Sequence, residues 1–162
     1  MKCKSCGAPM TLVEGRNYYR CDHCCSFHFP TPMEASADGL QPLGSQSQQR
    51  CPVCSLHLSA GALERQRVLF CEKCRGLILS NDDFAFILGR RRAQRTGPPA
   101  KLAPVNPEEL KRSISCPTCS MEMDTHPYYG PGNSVIDSCG RCRTIWLDHG
   151  ELGTLERAPG RA

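Results

Sequence analysis

Apolar residues in this chain gather in short bursts that stop at cysteines. "NYYRC", "RVLFC" and "SVIDSC" run into Cys21, Cys71 and Cys139, and turn formers lie behind each burst: Gly15, Gly61 and the Pro127–Asn133 segment. Short apolar runs bounded by turn residues predict strands, so each stretch reads as a short β-hairpin or ribbon. A second pattern follows. After Cys142 the chain reads "RTIWLDHGEL", and after Cys74 "RGLILSNDDF". Aligned on the cysteine, Ile145-Trp146-Leu147 matches Leu77-Ile78-Leu79, Asp148 matches Ser80 and Glu151 matches Asp83. An N-cap residue with an acid three positions on predicts a helix start at both places. Phe84, Ile87 and Leu88 then share one helical face. Near the N-terminus, Thr31-Pro32-Met33-Glu34 is a weaker echo, with Pro at the first helical position and Gly39 as an early stop.

The remaining stretches lack such order. Residues 35–50, "ASADGLQPLGSQSQQR", are polar and predict a flexible linker. Residues 96–113 begin "TGPPAKLAPVNP" and predict a Pro-rich, extended spacer, with "PEELKRSI" adding a helical turn. The expected organisation is a module at 1–34, the linker at 35–50, a module with its helix at 51–95, the spacer at 96–113, and a module with a short helix at 114–158.

Cysteine spacing gives these modules their chemistry. Twelve of thirteen cysteines fall into six CxxC pairs: Cys3, Cys6, Cys21, Cys24; Cys51, Cys54, Cys71, Cys74; and Cys116, Cys119, Cys139, Cys142. Two thiolates on one tight turn hold one face of a metal ion, and a second turn completes a tetrahedron. Three such sets in tandem predict a repeat protein with three four-cysteine zinc sites. Iron in a four-cysteine site has the same ligands and is the rival, less favoured metal. Four protein thiolates leave no position for water or substrate, so the sites read as structural. Cys25 is left over beside Cys24 and reads as a bystander in the knuckle; the rival reading is an alternative ligand or a redox-sensitive thiol. His23, His28, His57, His126 and His149 are not needed as ligands.

Composition supports metal over a large core. The 162 residues include 5 Phe, 4 Tyr and 1 Trp against 13 Pro and 14 Gly. The expected fold class is therefore small and metal-stabilised: three zinc-ribbon-like modules with no single large core. "MKCKSCGAPM" carries no apolar secretory segment, which predicts a reducing, cytoplasmic setting where close cysteines mean metal. No run is long enough to span a membrane. The formal charge is +4. Each zinc with four thiolates carries about −2, which takes the loaded chain to about −2 and removes any strong basic character. No nucleophile elbow, phosphate-binding loop or HExxH is present, and an enzyme is not expected.

Cys116-Pro117-Thr118-Cys119, Cys139-Gly140-Arg141-Cys142 and Trp146-Leu147-Asp148-His149-Gly150-Glu151-Leu152 together resemble the transcription-factor-IIB-type zinc-finger family of small bacterial proteins. The resemblance covers residues 116–152. It is looser over 51–90, where Ile78 replaces the Trp and Ser80 the Asp, and the first module keeps little beyond its cysteines. It implies zinc bound by these cysteines.

The leading functional expectation is a non-enzymatic, zinc-binding adaptor for another protein, with the exposed face of the Phe84–Arg95 helix as contact surface. The alternative is nucleic-acid binding, with Arg90, Arg91, Arg92 and Arg95 on phosphates and Tyr18, Tyr19, Tyr128 or Tyr129 stacking on bases. A third is a thiol-redox-sensitive zinc protein. No small-molecule substrate is evident.

Overall fold

The computed structural model describes residues 1–13, 18–24, 27–28, 30, 38–102, 104–105, 107–130 and 133–160. Gly15, Cys25 and the Thr31–Glu34 helix expected from sequence lie outside the described residues.

The described residues form two antiparallel sheets. Strands β1 (Thr11–Val13), β2 (Tyr18–Arg20) and β3 (Phe27–His28) make a three-stranded sheet in that order. The larger sheet contains β4 (Gln41–Arg50), β5 (His57–Leu63), β6 (Gln66–Phe70), β7 (Leu77–Ser80), β8 (Asp124–Pro127), β9 (Val135–Cys139) and β10 (Thr144–Leu147). Its order is β4-β5-β6-β7-β10-β9-β8. The second and third cysteine modules are therefore two halves of one sheet, joined where β7 meets β10. At that seam Leu77 faces Leu147, Ile78 faces Trp146 and Leu79 faces Ile145.

Side chains alternate across a strand, and the seam shows it. Leu77, Leu79, Ile145 and Leu147 point to one face, against Phe84, Ile87 and Leu88 of α1 (Asn81–Gln94) and Leu152 and Leu155 of α2 (Glu151–Arg157). Ile78 and Trp146 point to the other face, among Cys51, Cys71, Cys116 and Cys139. A third small cluster gathers Leu43, Ala60 and Ala62. Among the described residues there is no single large core. Three modest clusters hold the sheet, and the two larger ones both straddle the seam.

The polar stretch expected to be a flexible linker differs most. Residues 41–50 form β4, paired with β5 through Gln41–Ala62, Pro42–Gly61, Gln46–Ser59 and Arg50–His57, with register shifts between them. Two apolar residues anchor it: Leu40 and Leu43 are buried. A side chain at Gly61 would come within 2.7 Å of Leu40 and 3.1 Å of Phe70, so glycine lets this strand close down. Gly61 is thus a mid-strand residue and not the turn expected. The hairpin turns instead at Glu64 and Arg65, both with positive φ (43° and 72°), a two-residue turn whose twist matches the strands.

The expected helix start at Ser80 is present. Its hydroxyl accepts from the Asp83 N–H at 3.0 Å and donates to the Asp83 carboxylate at 2.7 Å. At the other start the capping residue is different. Gly150, at φ 84°, is the N-cap of α2. Glu151 still accepts from the Asp148 N–H at 2.8 Å, but the Asp148 carboxylate is taken by Arg112 and by the Trp146 Nε1–H at 3.1 Å. "PEELKRSI" contains a single 3-10 turn at Glu109–Lys111. The Pro-rich spacer before it is tied by the Ala100 N–H to the carbonyl of Arg157 at 2.8 Å.

Candidate metal centres

One local design recurs at the knuckles. The residue four positions after the leading cysteine has positive φ: Gly7 (76°), Ser55 (59°), Arg75 (57°), Ser120 (60°) and Arg143 (54°). That left-handed step lets the N–H of Ser55, Arg75 and Ser120 return to the carbonyl of Cys51, Cys71 and Cys116 at 2.8–2.9 Å. The cysteine N–H in turn reaches the carbonyl five residues on: Ala8, Leu56, Gly76 or Met121, at 2.7–2.9 Å. Flanking bridges close the base of the first knuckle in each module, pairing Lys2 with Pro9, Arg50 with His57 and Ser115 with Glu122. The folded-back turn aims backbone N–H groups at sulfur. Cys51 Sγ accepts from Val53 and Cys54 at 3.4 and 3.2 Å, Cys3 from Ser5, Cys116 from Thr118 and Cys139 from Cys142, each at 3.4 Å.

The twelve predicted cysteines come together as three groups of four, as the spacing required: Cys3, Cys6, Cys21, Cys24; Cys51, Cys54, Cys71, Cys74; and Cys116, Cys119, Cys139, Cys142, with sulfurs inside 4.8 Å of one another. Cys3–Cys24, Cys6–Cys21, Cys51–Cys74 and Cys119–Cys139 each sit 3.6 Å apart. A tetrahedron with metal–sulfur bonds of about 2.3 Å has edges of about 3.8 Å, so this spacing fits a metal ion. A disulfide would require about 2.05 Å.

Electrostatics lead to the same place. Burial pushes the Cys116 thiol up, but N–H groups of Cys119 and Thr118 and the neighbouring Cys139 and Cys119 thiols pull it down to about 7. Cys142 is pushed up to about 12, first by its hydrogen bond with Cys119. Burial raises Cys74 in the second group, while at Cys71 burial pushes up but the N–H groups of Cys74 and Lys73 and the Cys74 and Cys51 thiols together bring it down. Each of these clusters sets a thiol that is lowered beside one that is raised. A divalent cation supplies the positive charge that lets all four ionise.

The groups differ in their surroundings. In the second and third, two sulfurs are buried and two half-buried, and both groups pack around Trp146. The indole is fully buried, and a side chain at Gly76 would come within 2.2 Å of it. The apolar residue of the third module therefore plugs both centres. In the first group Cys6 and Cys24 are exposed. Beside Trp146 lies a feature not anticipated from sequence: Arg112 bonds Asp148 and lies 3.6 Å from the buried Asp137 carboxylate, which also accepts from Thr125. Only the unusual charge of "VIDSC" hinted at it.

Each of the four arginines expected on a nucleic-acid surface has a partner within the chain, and Arg92 alone of them is buried. Arg92 is buried and donates to the carbonyls of Leu155, Ala158 and Gly160 at 2.6–2.9 Å. Arg95 donates to the Glu156 and Ala158 carbonyls. Arg91 pairs with Glu64 and Glu156, and Arg90 with Glu64. Arg92 and Arg95 thus clamp the C-terminal end of α2, where carbonyls favour cations. Tyr128 packs edge-on to Phe84 in the helix-side cluster, whereas Tyr129 is 86% exposed and stacked on His126. Tyr19 lies beside His28, and the Tyr18 side chain is outside the described residues. His57 contacts the Ser47 carbonyl, His126 lies 3.0 Å from Ser138 Oγ, and His149 lies 3.7 Å from Asp38.

Residues 115–158 match the family described as transcription factor zinc-finger, a zinc-ribbon family of the transcription-factor-IIB type. The matched segment holds the third four-cysteine group and the whole of β8, β9, β10 and α2. No curated protein and no solved structure matches the chain. The family points to zinc as the metal of the third centre. No described helix is long and apolar enough to cross a membrane.

Proposed function

We propose that this chain is a non-enzymatic, cytoplasmic adaptor whose tandem ribbons carry three structural zinc ions and present a surface to another protein. The observation that carries this reading is the closure of the sites: each cluster contributes four sulfurs and so completes a tetrahedral shell with protein alone. Chemistry at such a metal would have no open position, and its role is to hold backbone in place. Around the second and third centres the knuckles leave Val53, Leu56 and Met121 roughly half exposed, at 51%, 48% and 54%. Apolar side chains on rigid turns suit contact with a partner.

Nucleic-acid binding is the second reading, favoured by the family description and by exposed Tyr129. It has to do without the arginine run, which is engaged within the chain. The experiment is affinity capture with the zinc-loaded chain, followed by salt-titrated binding to oligonucleotides. Reproducible recovery of one protein, with weak nucleic-acid binding that the arginines do not influence, supports the adaptor. Steeply salt-dependent binding to nucleic acid, with no protein recovered, overturns it.

A further inference from the structure

The three centres differ in what guards their sulfurs. In the second and third groups Cys54, Cys74, Cys119 and Cys142 are half-buried, and the other four sulfurs pack with Leu58, Ile78, Ile114, Met123 and Trp146. In the first group Cys3 and Cys21 are buried, but Cys6 and Cys24 are exposed. No apolar cluster of the described residues includes a residue of the first module. Its ladders are short: β1 pairs with β2 over three residues, and β2 with β3 over two. A metal ion is therefore the main thing that holds this module, and two of the sulfurs that would hold the ion face solvent.

Those two sulfurs are also placed for bond formation. Cys6 lies 3.6 Å from Cys21, and Cys24 lies 3.6 Å from Cys3. Each pair joins an exposed sulfur to a buried one and links the two knuckles. Attack on the exposed member leaves a buried partner in reach. The same spacing recurs at Cys51–Cys74 and Cys119–Cys139. Proximity therefore does not set the first centre apart; exposure and the lack of apolar cover do.

We propose that the first centre is an oxidation site: hydrogen peroxide converts its four thiols to the disulfides Cys6–Cys21 and Cys3–Cys24 and so releases its zinc, while the second and third centres stay loaded. This goes beyond the adaptor reading and does not depend on it. The chemistry balances for each pair. The thiolate of Cys6 attacks one peroxide oxygen, the O–O bond breaks, and the departing hydroxide takes a proton and leaves as water. Cys6 is then a sulfenic acid. The thiolate of Cys21 attacks that sulfur, the S–O bond breaks, and a second water leaves. Two thiols have lost two electrons and two protons, and one peroxide has become two waters. Cys24 and Cys3 repeat the sequence with a second peroxide. A disulfide offers no thiolate to a cation, so the module gives up its ion. A dithiol reductant, itself oxidised to a disulfide, restores the four thiols. The change is felt beyond the module, because Lys4 and His28 line a cavity of about 320 Å³ together with Gln41, Glu64 and Arg65 at one end of the large sheet.

The test exposes the full zinc-loaded chain to hydrogen peroxide and follows it with a zinc indicator, disulfide mapping by mass spectrometry and amide NMR. One zinc should leave at least about tenfold faster than the other two, since oxidation follows exposure of the sulfur. The released form should contain Cys6–Cys21 and Cys3–Cys24. Amide shifts should fall on the first module and the Glu64-Arg65 turn, with the β7–β10 seam unmoved. Dithiothreitol with added zinc should restore the starting spectrum. Cys25→Ser should respond as the native chain does, because the proposed step uses only the four clustered sulfurs. Retention of the first ion, release of all three at similar rates, or first disulfides at Cys51–Cys74 or Cys119–Cys139 overturns the proposal. So does release accompanied by sulfinic acids in place of disulfides. Loss of the peroxide response in Cys25→Ser also overturns it, and assigns the reactive thiol to Cys25.

Discussion

Trp146 is the residue on which two centres depend. It is fully buried, it lies on Gly76 of the neighbouring module, and its ring N–H is satisfied by Asp148. Truncating a buried aromatic costs about 3–5 kcal/mol. Trp146→Ala should therefore lower stability on that scale in denaturant titrations of the zinc-loaded chain. It should also speed zinc loss to a chelator from two of the three centres. Faster loss from a single centre would show that the plug serves its own module alone. Glu151 offers a second test. Burial raises its carboxyl to about 8, against the N–H of Asp148, which favours the charged form, and with added repulsion from Asp148 and Asp137. A folded value above the unfolded one means the folded chain holds the extra proton. The resulting stabilisation is full below the unfolded value and is lost as pH rises through about 8. Stability should therefore fall between pH 6 and 8, where the thiolates keep their metal, and Glu151→Gln should flatten that fall. Carboxyl NMR on the zinc-loaded chain reads the same titration directly.

Elements show which parts of a sequence declare themselves. The start of α1 was legible because Ser80 and Asp83 supply its cap from within four residues, and Ser80→Ala should cost about 0.5–2 kcal/mol in thermal or chemical unfolding. The knuckles were legible for the same reason, since CxxC carries its own turn. The strand β4 was not. "QPLGSQSQQR" has no alternation of its own, and it is held by Leu40, Leu43 and the space above Gly61, all matters of the strand beside it. The Glu64-Arg65 turn was hidden because neither residue advertises positive φ. The cap of α2 was misplaced because Asp148 fits the local pattern but is drawn off by Arg112 and Trp146. The arginine run was visible, but its partners, carbonyls more than sixty residues away, were not. Arg92→Ala should leave those carbonyls without their cation and speed hydrogen exchange across α2 while α1 stays protected. Arg92→Lys should rescue little, because one ammonium cannot match a fork that serves three carbonyls.

At the scale of the whole molecule, the centres fall into two groups. The second and third share a sheet, two apolar clusters and one indole. The first sits under a separate three-stranded sheet with two exposed sulfurs. Elemental analysis of the intact chain should give three zinc, and stepwise chelation should remove them in two phases. One ion should leave early with little change elsewhere. The other two should leave together, with loss of the large sheet, because small modules of this kind draw most of their folding free energy from metal. Three independent phases would mean the seam carries little energy.

That seam also sets a timetable. The residues paired between β7 and β10 are roughly sixty-four to seventy positions apart in the chain, so β7 is finished long before its partner exists. During synthesis the second ribbon must stand with Leu77, Ile78 and Leu79 along a bare edge, the kind of edge that invites pairing with strangers. It stays in that state until Trp146 emerges from the ribosome. The final ribbon is thus the protective cover of a nascent intermediate, and a message cut short before it would release a sticky protein rather than a merely shorter one.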